Sequence, residues 1–331
     1  MVDHSPKGSE FDLIKRHFMP LAAGDAGALS LLDDAALLDV PHGHKLVVTT
    51  DALVAGVHFL DTLSPEDIAH KVVGVNLSDL AAMGAKPRAV FLAAQFPHDL
   101  AEDWIAAFAR GLSDALQESG AVLLGGDTVS TPGPLAFTLT ALGFAKNDAI
   151  LTRAGAAPGD DLYVTGTIGD GALGLLCLTG ELDADAFLAT RYARPQARFA
   201  FARALAESGL ATACVDISDG LAADVAHICK ASNVSAMVEA ASVPLSDSAR
   251  ACVMANAALL KTVLTGGDDY ELAFTARPEN ASAIAALAAQ AGLGVTRIGH
   301  IANVGAGEAR VDVMDEAGHA LNLGAGGYVH R

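Results

Sequence analysis

The chain has 331 residues, 52% of them hydrophobic, and its formal net charge is −18 at pH 7. This length and composition provide enough apolar material for two globular domains. The excess of acidic residues argues against nucleic acid or anionic lipid as the main partner, because both require clustered Lys and Arg. The N-terminal segment is charged, and we find no stretch that is long and apolar enough to predict a membrane span, so we expect no membrane partner.

Four cysteines are scattered over the second half of the chain, at Cys177, Cys214, Cys229 and Cys252. They form no CxxC pair, which is the spacing typical of metal or redox sites. We therefore expect reduced thiols that serve packing, and a cytoplasmic location.

Residues 45–59 begin with apolar, strand-forming residues and then turn polar at Thr49, Thr50 and Asp51, with His58 one loop further on. A carboxylate at the end of an apolar strand is expensive to bury unless a cation or hydrogen-bond donors meet it. This stretch therefore indicates a site. The alternative is an ordinary strand end at which Asp51 opens a turn.

Two further acidic positions in the first half have the same character. Ser64 and Pro65 predict the start of a helix, and Asp79 falls within the apolar stripe of that helix. Asp79 either lines a cavity or pairs with a cation, unless the helix is rotated relative to this prediction. Asp33 and Asp34 stand side by side between apolar neighbours and cannot both be buried bare, so a surface turn is the alternative to a site.

A second helix is predicted from Asp99, with a buried face formed by Trp104, Phe108 and Leu112 and by Ile105 and Leu116 beside them. The apolar residues 121–124 predict a strand that ends at Gly125, Gly126 and Asp127. A further strand is predicted around residues 137–141, where apolar and polar residues alternate. Once more, an apolar strand leads directly into glycines and an acid.

In the second half, residues 161–165 predict a strand that leads into the glycine-rich loop 166–174. This loop lacks the GK[ST] ending of a phosphate-binding P-loop, so it is a weak phosphate signal or simply a strand-to-helix connection. Asp216 and Asp219 lie at the end of another predicted strand, just before a helix. Ser218 or Asp219 could cap that helix, but capping does not explain Asp216.

Six carboxylates share this placement at strand ends, in glycine turns or on an apolar helix face: Asp34, Asp51, Asp79, Asp127, Asp216 and Asp219. Ligand sets made only of oxygen prefer Mg²⁺, Ca²⁺ or Mn²⁺ to zinc. The sequence contains neither a GxSxG elbow nor a dinucleotide fingerprint with an acid at the expected distance. Metal-assisted phosphoryl transfer from ATP suits this collection, because metal ions screen the phosphate charge while the protein positions the reactants. We therefore expect the six carboxylates to converge into one pocket that holds divalent cations against a triphosphate.

The sequence strings that carry these residues resemble the thiamine-monophosphate kinase family over nearly the whole chain. In chain order they are SEFDLI, LLDDAAL, TTDALVAGVHF, VNLSDLAAMGAKP, GGDT, LTRAGAAPGDDLYVTGTIGDGALGL, VDISDGL and TGGDDYEL. The resemblance implies an α/β (α+β) fold of the aminoimidazole ribonucleotide synthetase type, with an N-terminal domain over residues 1–148 and a C-terminal α/β domain over 149–331. It also implies a homodimer formed through the N-terminal sheet, with ATP and substrate bound between domains and subunits. The implied reaction is Mg²⁺-dependent transfer of the γ-phosphate of ATP to thiamine monophosphate.

Carried over residue by residue, the resemblance assigns a role to each matching position. It implies magnesium ligands at Asp34, Thr49, Thr50, Asp51, Asp79, Asp127, Asp216 and Asp219. It implies ATP contacts from Gly126, Asp127, Arg153 and Ser218, and substrate contacts from His58, Asp268 and Tyr328. We expect Asp51, Asp216 and Asp219 to be essential for catalysis.

Three positions depart from the family pattern. Leu32 stands where the family has glycine, so the backbone near Asp34 is expected to differ. Asp268 stands where the family has a longer Glu, and Ala325 stands where it often has a Trp. Ala325 cannot stack on the thiamine rings, and losing that contact would weaken substrate binding by about 1–2 kcal/mol unless Tyr328 replaces it.

Three alternatives stay open at this point. The chain could be another ATP-using enzyme of the same superfamily with a different acceptor, although selenophosphate synthetase is disfavoured because no cysteine precedes Cys177. It could be a catalytically silent nucleotide or metal sensor that keeps the fold. It could also be a metal-dependent phosphohydrolase, which would release free phosphate without an acceptor.

Overall fold

The computed structural model describes residues 10–22, 24–305 and 308–324. The chain divides into two compact units. The first unit comprises the residues up to 42 together with 46–76 and 87–144, and the second comprises 43–45, 77–86 and the residues from 145 onward.

The strands form two sheets. The strands are β1 (His44–Val54), β2 (Lys86–Pro97), β3 (Val122–Thr131), β4 (Ala136–Lys146), β5 (Asp161–Thr165), β6 (Ala211–Asp216), β7 (Ser235–Glu239), β8 (Leu272–Ala276), β9 (Val295–Ala302) and β10 (Val311–Met314). One sheet has four strands in the order β1-β4-β2-β3, and the other has six in the order β10-β7-β9-β5-β8-β6.

Helices connect most of these strands. The α-helices are α1 (Glu10–Leu13), α2 (Met19–Ala22), α3 (Pro65–Ala82), α4 (Glu102–Ser119), α5 (Asp170–Thr179), α6 (Ala186–Ala193), α7 (Phe199–Ser208), α8 (Leu221–Ser232), α9 (Asp247–Ala255), α10 (Leu259–Thr265) and α11 (Ala281–Ala291). A π-helical turn (Ile14–Phe18) separates α1 from α2, and short 3₁₀ helices lie at Ala26–Leu31, Ala240–Ser242 and Pro278–Asn280. The α/β (α+β) fold class that the resemblance implies is confirmed. Among the described residues, no helix is both long and apolar enough to cross a membrane.

The core of the first unit lies between the four-stranded sheet and the apolar stripe of α4. Phe108 of α4 stacks on Phe137 of β4 with ring centroids 4.4 Å apart, and both rings are fully buried. Ile105 and Leu112 fall on the same helix face and are also buried. The helical periodicity therefore predicted correctly which face of α4 is buried.

The second unit buries both faces of its six-stranded sheet. Leu162 and Val164 of β5 belong to one hydrophobic cluster, whereas Tyr163 between them belongs to another and stacks on Phe274 at 5.2 Å. Successive side chains of a strand point to opposite faces, so the two clusters cover the two sides of the sheet. Strands β5 and β8 accordingly carry buried apolar residues on both faces.

Helix α3 begins where the sequence predicts. Ser64 Oγ accepts the N–H of Asp67 at 3.1 Å and donates to the Asp67 carboxylate at 2.7 Å, a cap that fixes the first turn. The prediction of a single apolar stripe is too narrow, because Asn76 and Ser78 are completely buried along with the apolar residues. Asn76 hydrogen-bonds to Asp51 of β1, and Ser78 hydrogen-bonds to Asp216 of β6.

Two predicted boundaries are wrong. Helix α4 starts at Glu102 with Ala101 at the cap position, because Asp99 lies within a turn that the Leu100 N–H closes onto the carbonyl of Pro97 at 3.1 Å. Strand β3 does not end at the glycines but continues to Thr131, since it pairs in parallel with β2 along this whole length.

Candidate active site

In the first unit, Gly126 and Asp127 lie in the middle of β3. Gly126 has φ +156°, and a Cβ at this position would lie 1.9 Å from the carbonyl oxygen of Leu92. Only glycine allows β3 to approach β2 so closely here. The exposed Asp127 accepts the N–H of Thr128 through Oδ1 at 2.9 Å.

A cavity of about 270 Å³ opens beside these two residues. Phe18 and Phe91 contribute aromatic surface to its lining, and Asp34 contributes a carboxylate in addition to that of Asp127. The structure therefore brings two of the six predicted carboxylates, Asp34 and Asp127, to the wall of one cavity in the first unit.

The turn that carries Asp34 is exposed and follows an unusual backbone. Leu29, Ser30 and Leu31 all have left-handed φ values, of +48°, +58° and +54°. Leu32, which replaces the glycine of the family pattern, has φ −110° and an exposed side chain. A glycine is therefore not required at position 32, and the unusual conformation lies in the three residues before it.

Thr49, Thr50 and Asp51 lie in the exposed edge strand β1. The backbone N–H of Asp51 donates to Oδ1 of the buried Asn76 at 3.0 Å. Thr50 Oγ1 donates to a backbone carbonyl of β4 at 3.3 Å. These contacts fix the polar end of β1 against α3 and β4, as a ligand-bearing strand requires.

His58 lies in the turn after β1, and one of its ring nitrogens already accepts a hydrogen bond. Its Nδ1 accepts the backbone N–H of Val54 at 3.0 Å. In the neutral imidazole the proton is therefore on Nε2, which makes that nitrogen a hydrogen-bond donor.

In the second unit, Asp216 is the last residue of β6 and is only 4% exposed. Ser78 Oγ donates to Asp216 Oδ2 at 2.7 Å. Burial, followed by the like charge of Asp79, raises the pKa of Asp216 to about 7, whereas the bonds from Ser78 and from its own backbone N–H and the charge of Arg153 act in the opposite direction. The charge of Asp79 on α3 therefore disfavours the ionised form of Asp216 at the end of β6.

Arg153 lies in an exposed loop that one serine organises. Ser232 Oγ donates to the carbonyl of Arg153 at 3.1 Å and accepts the N–H groups of Gly155 and Ala156, each at 3.1 Å. The charge of the Arg153 guanidinium contributes to the lowered pKa of His227 and partly offsets the raised pKa of Asp216. The guanidinium therefore lies within electrostatic reach of both groups.

The loop between β6 and α8 is organised by a residue that the sequence analysis missed. The buried carboxylate of Asp224 accepts three backbone N–H groups, from Ser218 at 2.9 Å, Asp219 at 3.0 Å and Gly220 at 3.1 Å. Burial, followed by the charge of Asp216, raises the pKa of Asp224 to about 7. The suggestion that Ser218 or Asp219 caps α8 is wrong, because Gly220 occupies the cap position and no side chain caps it.

Asp219 also belongs to a group that could hold a cation. One ligand atom from each of Asp219, Asp224 and His227 lies within 4.8 Å of the others. Burial, followed by the charge of Arg153, lowers the pKa of His227, which favours the neutral, metal-binding form of the imidazole. The available sequence signal was the spacing of Asp224 and His227, which are three residues apart and therefore share a face of α8.

Asp268 lies beside this loop. Its backbone has φ +70°, and its N–H donates to the carbonyl of Ser218 at 2.9 Å. The predicted substrate contact and a predicted ATP contact are thus directly hydrogen-bonded through the backbone. Tyr328, the third predicted substrate contact, lies outside the described residues.

The structure places the predicted ligands in two groups. The first unit carries Asp34, Thr49, Thr50, Asp51 and Asp127, and the second carries Asp79, Asp216 and Asp219. The gathering of all six carboxylates into one pocket stays a prediction, as do the individual roles of these residues. A buried ion-pair cluster around Glu271 was not predicted, because burial of a charged side chain leaves no distinctive mark on sequence spacing.

Comparisons with known proteins identify the family. The N-terminal domain of AIR synthase related protein matches residues 32–145, and the C-terminal domain of the same family matches residues 157–312. The thiamine-monophosphate kinase of Caulobacter vibrioides is 44% identical over 299 residues, which cover 88% of this chain and 83% of that protein.

Solved structures agree with this assignment. Thiamine-monophosphate kinase from Stenotrophomonas maltophilia K279a is similar with a TM-score of 0.82 and 40% identity, covering 95% of this chain and 98% of that one. AaThiL, complexed with AMPPCP and TMP, is similar with a TM-score of 0.76 and 29% identity, covering 90% and 91%. The chain therefore belongs to the thiamine-monophosphate kinase family of AIR synthase related proteins.

Proposed function

We propose that this protein transfers the γ-phosphate of ATP to thiamine monophosphate, giving ADP and thiamine diphosphate. The observation that carries the proposal is the end of β6, where Asp216 is buried and the like charge of Asp79 on α3 adds to the rise of its pKa. A charged carboxylate is costly to bury, and a bound cation lowers that cost. The relatives that bear this activity in their name match the chain over most of its length.

The residues present fit Mg²⁺. The donors that we assign to it are carboxylate and hydroxyl oxygens, which a small, hard cation prefers to imidazole or thiolate. Asp79, Asp216 and Asp219 would hold magnesium in the second unit, and in the first unit the ligands would be Asp34, Thr49, Thr50, Asp51 and Asp127. When bound, magnesium ions screen the triphosphate and stabilise the charge that develops on the transferred phosphoryl group.

The chemistry needs little else from the protein. A phosphate oxygen of thiamine monophosphate attacks the γ-phosphorus of ATP, and the bond from that phosphorus to the β,γ-bridging oxygen breaks, so that ADP leaves. The attacking oxygen is already ionised, and the reaction therefore requires no general base. The task of the chain is to align the two substrates in line and to exclude other geometries.

The described geometry supports a role for each side chain in that alignment. We propose that Gly126 and Asp127 of β3 contact ATP together with Ser218, and that Arg153 neutralises phosphate charge. We propose that His58 donates from Nε2 to the phosphate acceptor, because its Nδ1 is already engaged by Val54. Asp268 would contact the acceptor from the segment beside Ser218.

We propose that the working form is a homodimer in which the four-stranded sheet pairs with its copy. Strand β1 lies at the edge of that sheet. Its outward residues include Leu46 and Val48, which are 39% and 55% exposed. Neighbouring exposed apolar side chains on an edge strand are a liability for a monomer and suit burial against a second copy.

We further propose that the protein works in the reducing environment of the cytoplasm. All four cysteines are free thiols. Cys214 and Cys229 are buried, and burial raises the pKa of Cys229 to about 11, which makes it unreactive. Thiols of this kind serve packing and need no oxidising compartment.

One assay tests the proposed function. Purified protein is incubated with Mg²⁺, ATP and thiamine monophosphate, and both thiamine diphosphate and ADP are quantified over time. We expect the two products to form in equal amounts, and neither to form when EDTA is added. A parallel reaction without thiamine monophosphate measures any hydrolysis of ATP that does not depend on the acceptor.

The other outcomes identify the alternatives. ADP without thiamine diphosphate would indicate a phosphohydrolase or a superfamily enzyme with a different acceptor. Neither product, combined with tight binding of ATP, would indicate a silent nucleotide sensor. Either result would overturn the proposed kinase activity.

A further inference from the structure

A cluster of buried and partly buried charges surrounds Glu271, which follows Asp268 by three residues. Glu271 is completely buried, and its carboxylate accepts hydrogen bonds from Arg198 Nε at 2.8 Å, Arg198 Nη2 at 2.5 Å, Arg191 Nη2 at 2.9 Å and Thr165 Oγ1 at 2.7 Å. Arg198 pairs with Glu271 through two bonds, whereas Arg191 is shared between Glu271 and the buried carboxylate of Asp170, which lies 3.6 Å from Arg191 Nε. A carboxylate compensated in this way fixes geometry through directional, charge-assisted bonds.

The segment in front of this cluster has an unfavourable backbone. Asp268 has φ +70° and Tyr270 has φ +51°, although neither is glycine. Two left-handed residues within three positions persist only when the surrounding contacts force them to. The proposed binding residue Asp268 is therefore held in a strained conformation by its neighbours.

Backbone hydrogen bonds hold one side of the segment. The N–H of Asp268 donates to the carbonyl of Ser218 at 2.9 Å, and the N–H of Tyr270 donates to the carbonyl of Ile217 at 2.8 Å. The N–H of Ile217 donates in turn to the backbone carbonyl of Glu271 at 2.8 Å. Ile217 and Ser218 lie between Asp216 and Asp219 in the chain. The proposed acceptor contact is therefore in fixed register with the proposed metal ligands.

Side chains hold the other side. The carboxyl group of Asp269 accepts the N–H groups of Gly169 at 2.7 Å and Gly171 at 3.1 Å. Arg191 Nη2 also donates to the backbone carbonyl of Asp269 at 3.3 Å. A Cβ on Gly171 would lie 2.2 Å from the carbonyl oxygen of Asp268, so the glycine-rich loop packs directly against the strained segment. This packing gives the glycines of that loop a structural reason that the phosphate interpretation lacked.

We infer that Glu271 and Arg198 are positioning residues for the phosphate acceptor, since their ion pair holds Asp268 in its left-handed conformation next to the loop of Asp216 and Asp219. The inference rests on the proposed function. We assign neither residue a substrate contact, because both act through Asp268. Loosening the ion pair should therefore disturb binding of thiamine monophosphate much more than binding of ATP.

The test uses Arg198→Lys, which keeps the charge but cannot form the two-pronged contact with Glu271. The matched control is Arg297→Lys, at an exposed ion pair with Asp161 (2.6 Å) elsewhere in the same unit. We expect Arg198→Lys to raise the KM for thiamine monophosphate about 10-fold while the KM for ATP stays within about twofold, because small misplacements of a binding group are costly. Arg297→Lys should leave both KM values unchanged.

Hydrogen exchange provides a readout that does not depend on turnover. The N–H groups of Asp268 and Tyr270 should exchange at least about 10-fold faster in Arg198→Lys, and those of the control should not change. Glu271→Gln should raise the KM for thiamine monophosphate and the exchange rates more strongly than Arg198→Lys does. If the Glu271→Gln protein does not fold, Arg198→Lys alone tests the positioning role.

The outcomes separate the two claims. Wild-type protein that forms no thiamine diphosphate would overturn the proposed function. An active wild type in which Arg198→Lys lowers kcat alone, raises both KM values equally or leaves exchange unchanged would overturn the positioning role and leave the kinase assignment intact.

Discussion

Replacing Asp216 with Asn separates the stability of this protein from its activity. Asn is nearly isosteric with Asp, and its amide oxygen can still accept the Ser78 hydroxyl. Because the amide is neutral, the repulsion by the charge of Asp79 is removed. We expect the Asp216→Asn protein to be more stable than the wild type when no metal is present, and to be inactive as a kinase.

The expected gain in stability follows from the electrostatics of the strand end. Raising the pKa of Asp216 from 3.8 to about 7 corresponds to about 4 kcal/mol of free energy for carrying the charge in the folded protein. Asn carries no charge, although its buried amide requires a new acceptor that takes back part of this gain. We therefore expect a net increase of about 1–3 kcal/mol in the unfolding free energy.

The sign of the pH dependence is determined by the raised pKa. At pH 4 the carboxyl group is largely protonated in the folded protein, so Asp216 contributes little destabilisation there. Between pH 4 and about 7 the unfolded chain loses its proton while the folded chain keeps it, and the penalty grows with pH. The advantage of Asp216→Asn should thus be small at pH 4.5 and complete above pH 7.

Urea unfolding in EDTA at pH 4.5 and pH 8 measures this difference, and the same series with Mg²⁺ measures how much the metal stabilises each protein. Asp183→Asn, which removes an exposed carboxylate from the same unit, is the control. Magnesium should stabilise the wild type and the control but much less the Asp216→Asn protein. If that variant is less stable than the wild type at pH 8 in EDTA, or forms thiamine diphosphate at a near-normal rate, the reasoning about this strand end is refuted.

Three further predictions concern stability. Burial raises the pKa of Asp269 to about 8, so between pH 4 and 8 the unfolded chain releases a proton that the folded chain keeps, and the wild type should lose stability as the pH rises. Asp269→Asn should lack that component of the pH dependence in urea titrations. Gly126→Ala should cost about 3 kcal/mol because of its contact with the Leu92 carbonyl, and a melting temperature equal to that of the wild type would contradict this. Phe137→Ala should cost about 3–5 kcal/mol by removing the ring that stacks on Phe108, and a loss below about 1 kcal/mol by urea unfolding would contradict it.

The sequence predicted the elements whose signals are local. The cap at Ser64 and the apolar periodicity of α4 depend on neighbouring residues only, and both are confirmed. The ends of β3 and α4 were predicted wrongly because long-range contacts determine them. Strand β3 continues past its glycines because β2 pairs with it there, and no local propensity reports such a partner.

The same distinction applies to the site. The acids Asp216 and Asp219 stand out in the sequence because they follow an apolar strand, whereas Asp224 reads as an ordinary polar position on a helix. Its three backbone partners become visible only once the loop before α8 is folded. Residues that orient the site through backbone groups therefore leave a weaker mark on the sequence than the residues that carry the charge.

Two buried carboxylates in the second unit show how a structural acid differs from a functional one. Glu271 is surrounded by donors, two of them guanidinium groups, so its charge is satisfied by the protein itself. Asp216 receives the Ser78 hydroxyl and its own backbone N–H, and the favourable charge of Arg153 does not outweigh burial and the like charge of Asp79. Folding alone gives no reason to place a second acid there, because an apolar neighbour would be more stable. The unfavourable pair makes sense as a site that a divalent cation completes, and this contrast is why we assign the metal to Asp216 and the positioning role to Glu271.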